Sequence, residues 1–179
     1  RKAEEGDFYL SSAEKELINR VSEAFHKEGK KAVVILNIGG VIETASWSKI
    51  PDAILLAWQP GQEAGNSIMD VLTGKINPSG KLAVTFPLSY NDVPSSKSFP
   101  GKAVEAAKED DRPDLSGFSF TRRVPWETIY DEDIYVGYRY FETIPGAAKK
   151  VVYPFGFGLS YTQFSLKVTD AGERSGEIY

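Results

Sequence analysis

The feature that most constrains the fold is a segment of thirty residues, 58–87, which begins at the end of one apolar run, continues with a helical pattern and closes with a second apolar run. Residues 53–58 are continuously apolar, as in a buried strand. The spacing of the next apolar residues predicts a helix over 61–72, and a second apolar run predicts a strand over 82–86. Strand, helix and strand in this order are typical of a parallel sheet.

A helix and a strand of the same kind precede this segment. Ser11 and Glu14 have the spacing of a capping box, and Gly29 follows the helical pattern where a left-handed cap would end it. The apolar run 32–37 then predicts a strand buried on both faces. We therefore predict an α/β fold, with a mostly parallel sheet flanked by helices, over residues 11–87.

The chain changes character after Pro87. Residues 91–125 are rich in polar residues, proline and glycine, and predict an irregular loop. Alternation of side chains over 134–141 predicts a strand, and runs at 151–153 and 164–168 predict two more. We expect these to add an antiparallel strand element near the C-terminal end.

Composition excludes several kinds of site. The chain has no cysteine and a single histidine, His26, so disulfides, thiolate zinc sites and histidine metal clusters are excluded within it. A net charge of −4 argues against a nucleic-acid partner, and the apolar runs are too short to cross a membrane. None of this fixes the compartment. His26, which is followed by Lys27 and Glu28, is expected at the surface.

Three motif blocks carry a resemblance to a known family. They are residues 58–87 with W-x-P-G-Q-E-x-G, D-V-L-x-G and N-P-S-G-K-L-x-V-T-F-P, residues 134–141 (IYVGYRYF) and residues 153–162 (YPFGFGLSYT). Together with VVILNIGG they resemble the second domain of glycoside hydrolase family 3, the β-glucosidases and their relatives. The chain departs from the family pattern at Ala83, where proline is usual, at Asp133, where glycine is usual, and in a longer polar stretch over 102–127.

The resemblance implies a domain organisation. Such enzymes join a (β/α)8-type barrel to an α/β sandwich, often followed by a fibronectin-III-like domain. Residues 1–164 are then the sandwich domain, truncated at its N-terminal end, and residues 165–179 are a linker or the start of the third domain. The barrel is the expected partner.

The resemblance also implies the chemistry. The whole enzyme would be a retaining β-glucosidase-like hydrolase that releases terminal β-D-glucosyl, or related β-glycosyl, residues from a β-glucoside or β-glucan oligosaccharide. Its nucleophile is an aspartate on the barrel, so this chain would form one wall of the cleft and be inactive by itself. Two carboxyl groups suffice for the reaction, so no cofactor or metal is implied. The alternative is a non-catalytic carbohydrate-binding or scaffolding domain.

Few residues of the chain are site candidates. The family's acid/base glutamate commonly lies in a Ser-Gly-Glu-Gly-like loop, which the resemblance places just before Arg1. Glu4 and Glu5 are either substitutes for it or a solvated acidic approach to the first helix. Asp7 either contacts substrate or orients the loop. Trp126 either stacks on a sugar or packs in the domain.

Other motifs favour structural interpretations. Glu63 is either a cleft carboxylate or a first-turn residue favoured by the helix dipole. Ser79 belongs to a predicted turn and has no adjacent base. Glu132 and Arg139 are expected either to pair with each other or to hold the predicted strand in place. A nucleotide-binding domain is disfavoured, because no glycine-rich phosphate loop follows a predicted strand.

Overall fold

The structure, a computed structural model, describes residues 2–104, 126–174 and 177–178. Its helices and strands are short and follow one another along the chain. They are α1 (Ser12–Lys27), β1 (Val33–Leu36), β2 (Ala53–Leu56), α2 (Ala64–Leu72), β3 (Phe86–Pro87), β4 (Lys102–Ala103), β5 (Trp126–Glu127), α3 (Tyr138–Thr143), β6 (Val151–Tyr153), β7 (Glu173–Arg174) and β8 (Glu177–Ile178).

The first helix begins and ends where the sequence predicts. The Glu14 N–H donates to Ser11 Oγ at 3.3 Å, and the Ser11 N–H donates to Glu14 Oε2 at 2.8 Å, which completes the capping box. Hydrogen bonds from the side chain and then the backbone of Ser11 lower the pKa of Glu14. At the other end Gly29 has φ +66°, the left-handed conformation expected of a residue that follows a helix.

The core lies on one face of a parallel strand pair. Strands β1 and β2 are in register from Val33 and Ala53 to Leu36 and Leu56, which confirms the predicted parallel arrangement. Leu36, Ile42 and Trp47 form the buried cluster. Ile18 of α1 packs against this cluster, together with Leu10, Val34, Ile38, Ile50, Ile54 and Leu56.

The prediction that β1 is buried on both faces is wrong for the described part of the chain. Val33 and Ile35 point away from the cluster and are 44% and 43% exposed. Successive side chains of a strand alternate between faces, and Ile18 of α1 packs against the cluster on the side of Val34 and Leu36. One face of the pair is therefore open to solvent among the described residues.

The predicted third parallel strand, 82–86, is also wrong. Of these residues only Phe86 belongs to a strand. That strand, β3, pairs antiparallel with β6, and Phe86 lies opposite Tyr153. Leu82 donates its N–H to the Phe157 carbonyl at 2.8 Å and accepts from the Gly156 N–H at 2.7 Å. These two backbone groups are thus bonded to the turn around 153–158, instead of to the β1–β2 pair. The β3–β6 pair does confirm the predicted strand at Val151–Tyr153 and an antiparallel element near the C-terminal end.

The strand predicted over 134–141 is wrong because its second half is helical. Gly137, at φ +61°, precedes α3. Tyr138 stacks on Phe155 with ring centroids 4.1 Å apart, and Phe141 is buried. Tyr138 and Phe141 are three positions apart, a spacing that places them on one side of a helix.

The strand predicted over 164–168 is wrong as well. The segment has no regular structure, and Phe164, Leu166 and Val168 are at least 78% exposed. Nearby, β7 and β8 form an antiparallel pair. Among the described helices, none has the length and hydrophobicity that a membrane span requires.

The irregular loop predicted over 91–125 is described only in part. It begins with 3-10 turns at Tyr90–Asp92 and Pro94–Lys97, and β4 within it pairs antiparallel with β5. Residues 105–125, including most of the longer polar stretch, lie outside the described residues.

Candidate functional site

The N-terminal loop, residues 2–10, is held in a defined fold by its own hydrogen bonds. The Gly6 N–H donates to the Tyr9 carbonyl at 2.8 Å, and the Tyr9 N–H donates to the Glu4 carbonyl at 3.2 Å. Asp7 Oδ2 accepts from the Lys2 N–H at 2.5 Å. Asp7 thus contacts the loop backbone, which suits an orienting role, while its contact with substrate stays a prediction.

The carboxyl groups of Glu4 and Glu5 are solvent-exposed on this loop. Glu4 Oε1 lies 3.6 Å from Lys2 Nζ. Both carboxylate oxygens of Glu5 lie 3.2 Å from the hydroxyl of Ser12, the first residue of α1. Glu5 therefore faces the start of the helix, where a negative charge is favourable. A catalytic role for either residue stays a prediction.

Phe8 anchors the loop to the rest of the domain. Its side chain is 3% exposed, and its ring meets those of Tyr9 and Tyr90 edge-on, at 5.0 and 5.4 Å. Its carbonyl accepts the Glu43 N–H at 2.7 Å. The loop is consequently docked on the connection that follows β1 and on the segment that follows β3.

Glu43 is a buried carboxylate that sequence reasoning missed. The residue is 4% exposed; Oε1 accepts the Ser46 N–H at 2.6 Å, and Oε2 accepts the Ser46 hydroxyl at 2.7 Å. Its carbonyl accepts the indole N–H of the buried Trp47 at 2.8 Å. Acidic residues are seldom buried unless such partners are present. The available signal was its place as the first charged residue of the connection after β1.

The carboxyl ends of β1 and β2 meet at one edge of the sheet, the position at which open α/β sheets usually bind ligands. There the Gly39 backbone lies against the Gln59 side chain; a Cβ on Gly39 would be 3.1 Å from Gln59 Nε2. Trp58 has φ +53°, an outlier for a bulky residue. Strained backbone of this kind is concentrated at functional sites. We include this edge in the candidate site.

The first and third motif blocks contact each other in the fold. Asn77 Oδ1 accepts the Tyr161 N–H at 2.9 Å, and Asn77 Nδ2 donates to Ser160 Oγ at 2.9 Å. The Tyr161 hydroxyl donates to the Val71 carbonyl at 2.9 Å, near the end of α2. The motifs therefore share a structural joint. At the other end of α2, Glu63 binds the Asn66 side chain at 2.6 Å in the first turn.

The pair expected between Glu132 and Arg139 does not form. The Arg139 guanidinium lies over the Tyr138 ring, 5.6 Å from its centroid. Within the described residues, Glu132 Oε1 is buried without a hydrogen-bond partner. The expectation assumed a strand, and α3 begins between the two residues instead. For Trp126 the structure gives only a backbone position in β5, opposite Ala103; its side chain lies outside what is described, so sugar stacking stays a prediction.

A mainly apolar cavity of about 340 Å³ lies beside the N-terminal loop. Its lining includes Phe8, Val41, Val84, Tyr90, Phe99 and Tyr138. Its volume is at the lower end of the range for small-molecule sites. Within residues 2–104, 126–174 and 177–178, no three potential metal ligands of the His, Cys, Asp and Glu types come together.

Comparison with known proteins assigns the chain to a family. The sequence profile of the glycosyl hydrolase family 3 C-terminal domain matches residues 2–138. The chain belongs to glycoside hydrolase family 3. The motif resemblance seen in the sequence is thereby confirmed.

Family 3 relatives with this domain are β-glucosidases and related enzymes. β-Glucosidase A of Butyrivibrio fibrisolvens is 46% identical over 165 residues, which are 90% of this chain and 17% of the relative. An exo-α-(1→6)-L-arabinopyranosidase of Bifidobacterium longum is 38% identical over 76% of this chain and 15% of the relative. The second example shows that this domain also occurs in a relative named for another glycoside.

Solved family 3 structures have the same fold. β-Glucosidase 3B from Thermotoga neapolitana, in complex with glucose, matches with a TM-score of 0.78 and 46% identity, over 97% of this chain and 21% of that protein. A β-glucosidase from Paenibacillus barengoltzii matches with a TM-score of 0.75 and 31% identity, over 97% and 16%. The chain thus spans about a fifth of the length of these proteins or less.

Proposed function

We propose that this chain is part of a retaining β-glucosidase-like hydrolase that releases terminal β-D-glucosyl, or related β-glycosyl, residues. The observation that carries the proposal is the match to β-glucosidase 3B of Thermotoga neapolitana, solved with glucose, at 46% identity over 97% of this chain. This match spans nearly the whole chain, which supports assigning the same type of reaction to the complete protein.

The chemistry requires two carboxyl groups about 5–5.5 Å apart, one as nucleophile and one as general acid and then base. We propose that the nucleophile lies on a (β/α)8-type barrel domain outside this chain. The acid/base would lie on, or just before, the N-terminal loop, and Glu4 and Glu5 are the candidates within it. Support comes from the folded, anchored state of this loop, since a proton donor must be held in place to act.

In this proposal the domain is the α/β sandwich of the enzyme and forms one wall of the cleft. Asp7 and Trp126 would contact substrate, and residues 165–179 would be a linker or the start of a fibronectin-III-like domain. The relatives are several times longer than this chain, which supports the presence of further domains in the complete protein.

The test is the stereochemistry of hydrolysis by the complete polypeptide that carries this chain. Proton NMR of the first sugar released from an aryl β-glucoside should show the β-anomer, which then mutarotates. Initial release of the α-anomer would contradict a retaining mechanism, and absence of hydrolysis would contradict a β-glucosidase.

A second candidate function is carbohydrate binding without catalysis. The cavity favours it, because Tyr90 and Tyr138 line an apolar space beside the exposed Phe99, and sugars stack on aromatic rings. Titration of the chain with cello-oligosaccharides distinguishes the two. Micromolar binding, combined with an inactive complete polypeptide, would favour this candidate.

A further inference from the structure

Glu43 is a buried acidic residue that the proposed reaction does not use directly. It is 4% exposed and lies in the connection after β1. Its two carboxylate oxygens bind the same neighbour, one the N–H and the other the hydroxyl of Ser46. The Glu43 side chain thereby closes the four-residue turn 43–46.

The backbone of the same residue connects two parts of the domain. Its carbonyl accepts the Trp47 indole N–H, and Trp47, 2% exposed, belongs to the core cluster. Its N–H donates to the Phe8 carbonyl at 2.7 Å. Glu43 is therefore fixed to the core on one side and bonded to the N-terminal loop on the other.

The N-terminal loop is attached to the rest of the domain partly through this connection. Asp7 and Tyr9, on either side of Phe8, bond back to Lys2 and Glu4, so the loop is a closed unit. Its attachments to the rest of the domain include the Phe8 carbonyl bond, the Phe8 ring and the 3.4 Å contact of the Tyr9 and Ser89 hydroxyls. A shift of the Glu43 backbone would move Phe8, and with it the loop.

We propose that Glu43 is a positioning residue for glycoside hydrolysis. Its bonds to Ser46 fix its own N–H against the Phe8 carbonyl. Glu43 thus orients the acid/base carboxyl group that lies on, or just before, the N-terminal loop. The inference rests on the proposed function. It assigns a role to a residue that touches neither substrate nor reacting atoms.

A positioning role has a kinetic signature that simple destabilisation lacks. Proton donation to the leaving oxygen matters for an alkyl or phenyl glucoside, whose leaving group is a poor one. It matters little for dinitrophenyl β-glucoside, whose leaving group departs without a proton. Misplacing the acid should therefore lower kcat/KM for the first class and spare the second.

The experiment compares both substrate classes in the complete polypeptide. Glu43→Ala should lower kcat/KM for phenyl β-glucoside by about 10–100-fold, the range expected when a general acid is misplaced, and for dinitrophenyl β-glucoside by less than about threefold. Glu43→Gln should restore part of the loss, because its amide can accept from the Ser46 N–H and donate to the Ser46 hydroxyl. Glu16→Gln, at an exposed α1 carboxylate paired with Arg20, is the control and should match the wild type on both substrates.

A milder variant covers the case in which Glu43→Ala does not fold. Ser46→Ala removes only the hydroxyl contact and should give a smaller loss with the same preference for the poor leaving group. Equal losses on both substrates, or none on either, in the variants that fold would overturn the proposal.

Hydrogen exchange separates failure of this inference from failure of the proposed function. In Glu43→Ala or Ser46→Ala the amides of Gly6, Tyr9 and residue 43 should exchange faster than in the wild type, whatever the activity. Unchanged exchange would overturn the positioning role even if the enzyme is a β-glucosidase. A wild type without glucosidase activity would overturn the proposed function, and the catalytic part of this inference with it.

Discussion

Among individual residues, Asp133 has a backbone conformation that suits glycine. Its φ is +50°, and it occupies the position at which the family motif usually carries glycine. A left-handed conformation costs an ordinary L-residue about 1–2 kcal/mol, less for aspartate, while glycine adds about 0.4–1 kcal/mol of unfolded-chain entropy. We predict that Asp133→Gly raises the free energy of unfolding, by up to about 1 kcal/mol.

Denaturant unfolding of Asp133→Gly, with Asp131→Gly as the matched control, measures this change. Asp131 is in the same turn but is not among the residues with positive φ, so glycine there should lower the stability. Equal shifts of the two variants would contradict the strain argument.

Residue-level predictions succeeded where the chemistry was local. The capping box of Ser11 and Glu14 depends on residues three apart, so spacing alone revealed it. The hydrogen bond from the Glu43 N–H to the Phe8 carbonyl joins residues 35 positions apart, and no local pattern contains such a contact. The expected pair of Glu132 and Arg139 failed for a related reason, because it depended on the wrong secondary structure.

Between elements, Asp52 joins the end of α1 to the start of both parallel strands. It precedes β2, and its carboxylate accepts hydrogen bonds of 2.8 Å from Lys31 Nζ, the Ala32 N–H and His26 Nε2. His26 is exposed, as predicted, and is bonded to the Asp52 carboxylate. The hydrogen bond from Lys31, followed by those from Ala32 and His26, holds the pKa of Asp52 well below its usual range.

This lowered pKa predicts a pH dependence of stability. An unfolded aspartate titrates near pH 3.9, so the folded carboxylate contributes stability above about pH 4 and loses that contribution as the pH falls. At pH 7 the Tm of Asp52→Asn should lie below that of the wild type. This difference in Tm should become smaller below pH 4. Thermal unfolding from pH 7 to pH 3 measures both, with Glu16→Gln as control. A difference in Tm that does not change with pH would contradict a stabilising role of the ionised Asp52.

Elements were predictable where a periodic pattern coincided with clear ends. Helices α1 and α2 and strands β1 and β2 all lie within the predicted segments, and Gly29 and Gly74 have the positive φ expected after each helix. The three wrong strands are short apolar or alternating runs. Whether such a run becomes a strand depends on a partner at long range, which the pattern does not contain.

For the whole molecule, apolar surface indicates contacts beyond the described residues. Besides Val33 and Ile35 on the open face of β1, helix α1 has Leu17 62%, Val21 42% and Phe25 46% exposed, at a spacing of four along one stripe. Apolar patches of this kind commonly mark interaction surfaces. We expect other parts of the complete family 3 protein to cover them.

The family could be predicted from the three motif blocks, since they contain the glycines, turns and aromatic contacts that shape this domain. Asn77 and Tyr161 illustrate this, because they connect two blocks in the fold. The catalytic residues could not be located in the same way. The motifs identify a lineage through its structural joints, and under the proposed function the reacting carboxyl groups lie largely outside them.

The central claim is that this chain contributes one wall of a glycosidase cleft without its nucleophile. The most direct test assays the purified chain alone on an aryl β-glucoside, beside an equimolar sample of the complete polypeptide. The account predicts turnover by the complete polypeptide and none by the chain. Turnover by the chain, with active-site titration near one site per molecule, would contradict it.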